Sequence, residues 1–321
     1  MYENRSSRYT RDQDFAFAVM RIIFGAIWAV NTALEANAPY VNHFLTSITK
    51  RVAGQSNIIQ AYMHFVIRGV EFLGPQHVAM ATVVVDGLLA VALLTGVGLR
   101  PWARFGVIYS LFLWSTVGGF GGPYVAGATD PGTAIVYALT FFTILSVPSE
   151  QRLTLGGHSA RVVETREIEV VRILFGLLWA FDAFWKWQPA FLEHSLSYLR
   201  AAQVGQPGWI VAYIGLFIHI LGIVGPMTFG VFAAVMETVL AISLLTRRAE
   251  KWFLPIGFFY SFGVWTTAEG WGGPYSLGST GNRGDMLGTA NMYMIVYLYL
   301  MVAYLFERRR KKSSVFQSSM S

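Results

Sequence analysis

The sequence predicts an all-α membrane protein made of two tandem, parallel four-helix transmembrane repeats, about eight spans in all. Three observations lead there. The first is composition: the 321 residues are 54% hydrophobic and 13% charged, with mean hydropathy +0.47. Ordinary soluble domains carry about 25% charged residues, and several apolar runs here approach the ~20 residues that cross a bilayer. The second is an internal copy. Trp114-Ser-Thr-Val-Gly-Gly-Phe-Gly-Gly-Pro-Tyr124 recurs as Trp265-Thr-Thr-Ala-Glu-Gly-Trp-Gly-Gly-Pro-Tyr275, 151 residues later. The same offset relates Arg21 to Arg172, Trp28 to Trp179, His43 to His194, Asp86 to Glu237 and Tyr109 to Tyr260, so the chain is a duplication. The third is where the basic residues fall, which fixes the number of spans.

Residues 1–14 are polar, carry Arg5, Arg8 and Arg11, and read as a cytoplasmic N-terminal segment with no cleavable signal. The first repeat covers 15–147, with spans expected at 15–34, 77–96, 104–117 and 133–147. Residues 35–56 are mixed and read as interfacial or extramembrane. Ile58–Leu73 is apolar but short, contains His64, Arg68 and Glu71, and is stopped by Gly74-Pro75. A polar linker, 148–169, leads to the second repeat, 170–306. Its spans are expected near 170–187, 228–246, 252–267 and 288–306, with Trp209–Val224 as the counterpart of the short segment. Residues 307–321 form a basic cytoplasmic tail beginning Glu307-Arg-Arg-Arg-Lys-Lys312.

Four spans per repeat put the N-terminus, Arg100 and Arg104, the linker, Arg247, Arg248 and Lys251, and the tail on one side. That is the positive-inside pattern. Five spans would invert the second half and send Arg100, Arg104 and the tail outward. The expectation is therefore a multi-pass cell-membrane protein with both termini cytoplasmic and both Gly-Gly-Pro-Tyr loops extracytoplasmic. Residues 58–73 and 209–224 would be an extra interfacial or re-entrant helix on the outer side of each repeat.

Composition also excludes. With no cysteine the chain has no thiol redox chemistry, disulfide, cysteine-held iron–sulfur cluster or covalent haem c. Net charge +6 and a pI of about 9.5 come from clusters flanking apolar runs, which suits a lipid bilayer and not nucleic acid.

Several residues could carry chemistry. Arg21 and Arg172 lie about six residues into their predicted helices, ~9 Å deep, and Asp86 and Glu237 ~15 Å from the cytoplasmic end of theirs. The difference is within an arginine's reach, so Arg21–Asp86 and Arg172–Glu237 are candidate intramembrane pairs, serving either as helix locks or as proton donors. His43 and His194 fall outside the spans, so haem and metal binding are not expected, although either histidine could hydrogen-bond a quinone carbonyl. In the double-glycine loops, Gly121, Gly122, Gly272 and Gly273 permit tight turns while Tyr124 and Tyr275 anchor at the interface. Free N–H groups there could hold a small anion. No strand or lysine accompanies the glycines, which argues against a nucleotide loop. Trp114, Trp265, Tyr109 and Tyr260 just below could form an aromatic slot or an ordinary interfacial belt. The second half differs by Lys186 in place of Glu35 and by Trp185, Trp187 and Arg283, which favours it for an anionic substrate; Arg200 is a further cation.

The repeat unit resembles the DoxX/DoxD superfamily of small four-helix membrane proteins. The resemblance rests on Val-Met-Arg-Ile-Ile-Phe-Gly-Ala-Ile-Trp28 and its copy ending at Trp179, on Asp86-Gly-Leu-Leu-Ala-Val-Ala-Leu-Leu-Thr-Gly96, and on Gly121-Gly-Pro-Tyr-Val-Ala-Gly-Ala-Thr-Asp-Pro-Gly132. The last is similar to DoxD, the large membrane part of an archaeal thiosulfate:quinone oxidoreductase. The chain departs from that pattern in being duplicated, in Thr280-Gly-Asn-Arg-Gly-Asp285, and in Glu237-Thr for Asp86-Gly. The resemblance implies a respiratory-chain oxidoreductase subunit that oxidises thiosulfate to tetrathionate and passes electrons to a membrane quinone. It also implies a DoxA-like small subunit as partner. Arg21, Asp86, Arg172 and Glu237 would be catalytic, and His43, Trp114, Lys186, His194, Tyr260, Trp265, Arg283 and the loop residues would bind substrate or quinone. The alternative is a non-catalytic DoxX-like structural subunit of a terminal oxidase or another respiratory complex. A transporter is less suited, since the repeats are parallel and no broken-helix pair stands out.

Overall fold

The computed structural model describes residues 3–147, 152–155, 165–274 and 287–318, which are all-helical apart from turns and loops. The first half holds α1 (Glu3–Glu35), α2 (Ala38–Lys50), α3 (Asn57–Leu73), α4 (Pro75–Thr95), α5 (Leu99–Ser115) and α6 (Thr133–Ser146). The second holds α7 (Thr165–Lys186), α8 (Pro189–Ala202), α9 (Gly208–Val224), α10 (Pro226–Thr246), α11 (Glu250–Thr267) and α12 (Thr289–Ser318). Prolines open several of these helices: Pro39, Pro75, Pro189 and Pro226 sit in the first turn, where the missing N–H costs nothing.

Among the described residues, four helical stretches are long and apolar enough to cross a membrane: Asp12–Glu35, Pro75–Thr95, Pro226–Thr246 and Thr289–Arg309. The outward face of α4 shows why. Met80, Val84, Leu88 and Val91 are exposed along one stripe, while Ala79, Val83, Asp86, Leu89, Ala90 and Leu93 are buried on the other. A helix apolar all round belongs in lipid or in a large core. α6 and α9 are apolar but shorter, and α7 carries Glu167, Glu169, Arg172, Asp182 and Lys186 along its length.

Several boundaries differ from the sequence expectation. α1 extends back to Glu3, so most of 1–14 is helix, and α7 begins inside the expected linker. α12 continues through the basic tail to Ser318. Residues 38–50, read only as an interfacial stretch, form a helix with two buried residues, Phe44 and Ile48. Local polar alternation masks helicity when tertiary packing supports the helix.

α1 packs on α4, α7 on α10, α5 on α6 and α11 on α12. In lipid there is little hydrophobic gain from helix association, so close backbone approach matters more. Gly25 and Gly176 supply it: a Cβ at either would press into Leu93–Leu94 or Leu244–Leu245 of the facing helix. The halves meet where α12 contacts α1 and α6 and where α6 contacts α7, and one continuous core runs through both. Phe17 stacks on Tyr299 at 5.7 Å across that boundary.

Candidate functional site

The two double-glycine segments adopt one conformation. Gly119, Phe120 and Gly121 have φ of 54°, 57° and 79°, and Gly270, Trp271 and Gly272 have 56°, 59° and 78°. Three successive left-handed residues form a tight turn that flanking glycines tolerate and a Cβ resists. The Gly122–Pro123 and Gly273–Pro274 peptides are cis. The Gln55 amide donates to Gly119 O at 3.0 Å and Gln206 to Gly270 O at 2.9 Å, which locks each turn to the loop before α3 or α9.

In both loops, groups expected to meet a ligand are engaged within the fold. The Gly121 and Gly122 amides donate back to Gly118 O and Gly119 O at 2.9 and 3.1 Å, and Gly272 and Gly273 do the same to Glu269 O and Gly270 O. They are therefore spent on the turn and do not offer an anion nest. The indole N–H of Trp114 donates to Pro131 O and that of Trp265 to Leu287 O, both at 2.7 Å. Phe120 and Trp271 pack edge-on against those indoles at 5.3 and 5.1 Å. The aromatic groups pin the loop and fill the space between themselves.

Neither arginine meets its expected acid. Arg21 is fully buried and donates to Leu153 O at 2.5 Å, beside Gly96 at the C-terminal end of α4. Arg172 donates to Leu244 O near the end of α10 and to Glu169 at 2.5 Å, with Glu250 Oε1 3.7 Å away. Helical side chains lean toward the N-terminus of their own helix, here toward the linker side, and the terminal carbonyls of α4 and α10 attract cations. The depth argument located the Cα atoms and missed that direction.

The acids have other partners. Glu237 Oε1 accepts from the Tyr260 hydroxyl at 3.0 Å and lies 3.6 Å from Lys186 Nζ. Asp182, one turn before Lys186 on α7, accepts from the Tyr293 hydroxyl at 2.7 Å. Sequence reading missed Asp182, although its i, i+4 spacing to Lys186 puts both on one helix face. In the first half the matching positions are Asn31, Glu35, Asp86 and Tyr109. There Asp86 lies against both Glu35 and Tyr109, and Asn31 against Glu35.

A cavity of about 90 Å³ opens beside the second constellation. Trp179, Phe191, Phe229, Tyr260 and Tyr293 give it aromatic walls, and its charged lining is Asp130, Asp182, Lys186, Glu237 and Glu269. Part of its roof comes from the other half. Lys186 Nζ donates to Thr129 O at 3.2 Å, Tyr198 to Gly127 O at 2.9 Å, and Tyr124 stacks on Trp185 at 5.9 Å. Asp130 steadies that roof by accepting from Thr129 Oγ1 and Gly132 N. Burial pushes the Tyr124 phenol up to about 12, with Asp130 and Asp182 adding to the effect. Glu269 caps α12 by accepting from the Thr289 and Ala290 amides, an N-terminal role suited to a carboxylate. Gly118 holds the equivalent place in the first half.

Of the other expected residues, His43 and His194 are exposed on α2 and α8, away from the cavity lining. His43 Nδ1 faces its own Pro39 O at 2.8 Å. Arg200 is exposed. Tyr275, Arg283 and the 280–285 stretch lie outside the described residues. Among the described residues no group of three or more His, Cys, Asp and Glu side chains suits a metal ion. Comparison with family profiles, curated proteins and solved structures found no match.

Proposed function

We propose that the chain is an eight-span membrane subunit of a quinone-linked oxidoreductase of the thiosulfate-oxidising kind, with its working site in the second half. The observation that carries this reading is the aromatic-walled cavity containing the Tyr260–Glu237–Lys186 and Tyr293–Asp182 contacts. A pocket for a carrier head needs apolar walls and a few placed polar groups. A quinone, when bound, supplies the two-electron chemistry and takes up two protons. Trp179, Phe191 and Tyr260 would flank its ring, Lys186 would donate to a ring oxygen, and Glu237 and Asp182 would relay protons to it. Arg172 and Arg21 are not part of this set; Arg172 binds Leu244 O near the end of α10 and Arg21 binds Leu153 O in the linker.

Four acidic side chains against one lysine suit a neutral ring better than a dianion. The thiosulfate step and the small DoxA-like partner are therefore carried by the resemblance alone. The positive-inside distribution supports cytoplasmic termini, outer Gly-Gly-Pro-Tyr loops, and α3 and α9 along the outer leaflet.

Purified protein, with and without co-purified partners, should reduce a decyl-quinone when given thiosulfate, and Glu237→Gln should abolish this while leaving a folded protein. Absence of turnover under both conditions would favour the structural-subunit reading. That second reading has its own support in the loops, where the Gly121, Gly122, Gly272 and Gly273 amides and the Trp114 and Trp265 indoles are engaged within the fold. Single cysteines at Arg100 and Ser313 test the topology: protection of either from a cytoplasmic thiol reagent would overturn it.

A further inference from the structure

The first half carries the matching constellation with Asn31 in place of Asp182 and a carboxyl, Glu35, in place of the cation. In the second half the Lys186 ammonium lies 3.6 Å from Glu237 Oε1, on the helix that also carries Asp182. In the first half the residue at the Lys186 position is Glu35, and it faces Asp86, the counterpart of Glu237. Two carboxyl groups thus meet where the other copy pairs a carboxylate with a built-in cation. We propose that Asn31, Glu35, Asp86 and Tyr109 bind a small, oxygen-preferring monovalent cation of the sodium class.

Four oxygens point to this ligand. Asn31 Oδ1, Glu35 Oε2, Asp86 Oδ1 and the Tyr109 hydroxyl are each shut off from solvent and find no hydrogen-bond partner outside this group. The four residues are 2%, 7%, 4% and 9% exposed. They come from three helices, with Asn31 and Glu35 one turn apart on α1, Asp86 on α4 and Tyr109 on α5. Asp86 lies between Glu35 and Tyr109, and Tyr40 of α2, hydrogen-bonded to Thr82 at 3.2 Å, closes the side next to Glu35.

Buried carboxyl oxygens that face mainly one another are costly, because too few donors replace the water they have given up. A cation would satisfy all four together. Carboxylate, amide-carbonyl and hydroxyl oxygens form the donor set of a hard ion, and no nitrogen or sulfur is present to favour a transition metal. One positive charge would also give this half the charge its twin has with Asp182, Glu237 and Lys186. Glu35 ends α1, so the site lies toward the loop end of that helix. The inference does not depend on the quinone reading.

The test is thermal unfolding of the purified full chain in detergent at pH 8. Choline chloride would be replaced at constant ionic strength by sodium, potassium or calcium chloride. Sodium should raise the midpoint saturably, by about 5 °C at saturation. Asp86→Asn and Glu35→Gln should abolish the shift, and Glu71→Gln, at an exposed position, should keep it. Glu35→Lys copies the second half's arrangement and should melt as high in choline as in sodium. Equal midpoints of the wild-type chain in choline and sodium would overturn the proposal, as would a response to calcium alone. A midpoint that follows pH but no cation would show that Glu35 and Asp86 hold only a proton, with Tyr40 and Tyr109 as the other titratable groups nearby, and would also overturn it.

Discussion

Lys186 Nζ lies 3.6 Å from Glu237 Oε1, with the two side chains 14% and 4% exposed. Removing one member of so enclosed a pair leaves an uncompensated charge, which typically costs about 3–5 kcal/mol. Lys186→Met should therefore lower the unfolding midpoint markedly, and adding Glu237→Gln should recover part of the loss. A full double-mutant cycle by thermal unfolding measures the coupling. Additive effects would mean that the two groups do not interact.

Gln55 and Gln206 each hold a left-handed turn through one amide-to-carbonyl hydrogen bond. Replacing either with Leu removes one of the two hydrogen bonds that this carbonyl accepts, the other coming from Gly122 N or Gly273 N, at a cost of about 0.5–1.5 kcal/mol. The two single variants should be destabilised to a similar degree, since the bonds are 3.0 and 2.9 Å. Limited proteolysis should find cleavage near Phe120 in Gln55→Leu and near Trp271 in Gln206→Leu.

Glycines divide sharply by position. Gly121 has φ of 79°, and a Cβ there would collide with the Pro131 carbonyl, so Gly121→Ala should sharply reduce the yield of folded protein. Gly69 and Gly263 lie in helices with open space around them. Alanine at those two positions should be tolerated and even stabilising by a few tenths of a kcal/mol up to about 1 kcal/mol. Detergent-solubilised yield and melting midpoint would separate the classes.

Arg172 lies in an ionic cluster at the linker side, with Glu169, Arg247 and Glu250 nearby and Arg247 also reaching Glu307 at 2.8 Å. Arg172→Met should weaken that cluster and lower stability, yet leave quinone reduction per folded molecule unchanged. A collapse of turnover in a fully folded variant would return Arg172 to the chemistry.

The all-helical, membrane-suited character was legible because it rests on composition and apolar runs, which persist whatever the tertiary arrangement. Asp86 and Glu237 also stood out, since an acid inside an apolar run demands a reason. Their partners did not. Arg21 and Arg172 look like partners by depth, but the partner of Glu237 is Lys186, whose long stem carries its charge from the last turn of α7 into the bundle. Asp182 was hidden as one more acid near a helix end until its turn-spacing to Lys186 gained meaning from packing. The loop tryptophans were legible as important and misread in role, because a sequence does not say whether an N–H faces a ligand or a carbonyl.

The roof of the second-half cavity is donated by the first half, through Gly127 O to Tyr198 and Thr129 O to Lys186. The fusion of the two copies is thus not a matter of convenience. A polypeptide beginning in the linker would lose the site's ceiling and expose Lys186 and Trp185 to whatever fills the gap, while its complement would carry a ceiling with no site beneath it. Split at the linker and co-expressed, the fragments should assemble only as a pair. An unduplicated ancestor would have had to borrow that segment from a neighbouring subunit.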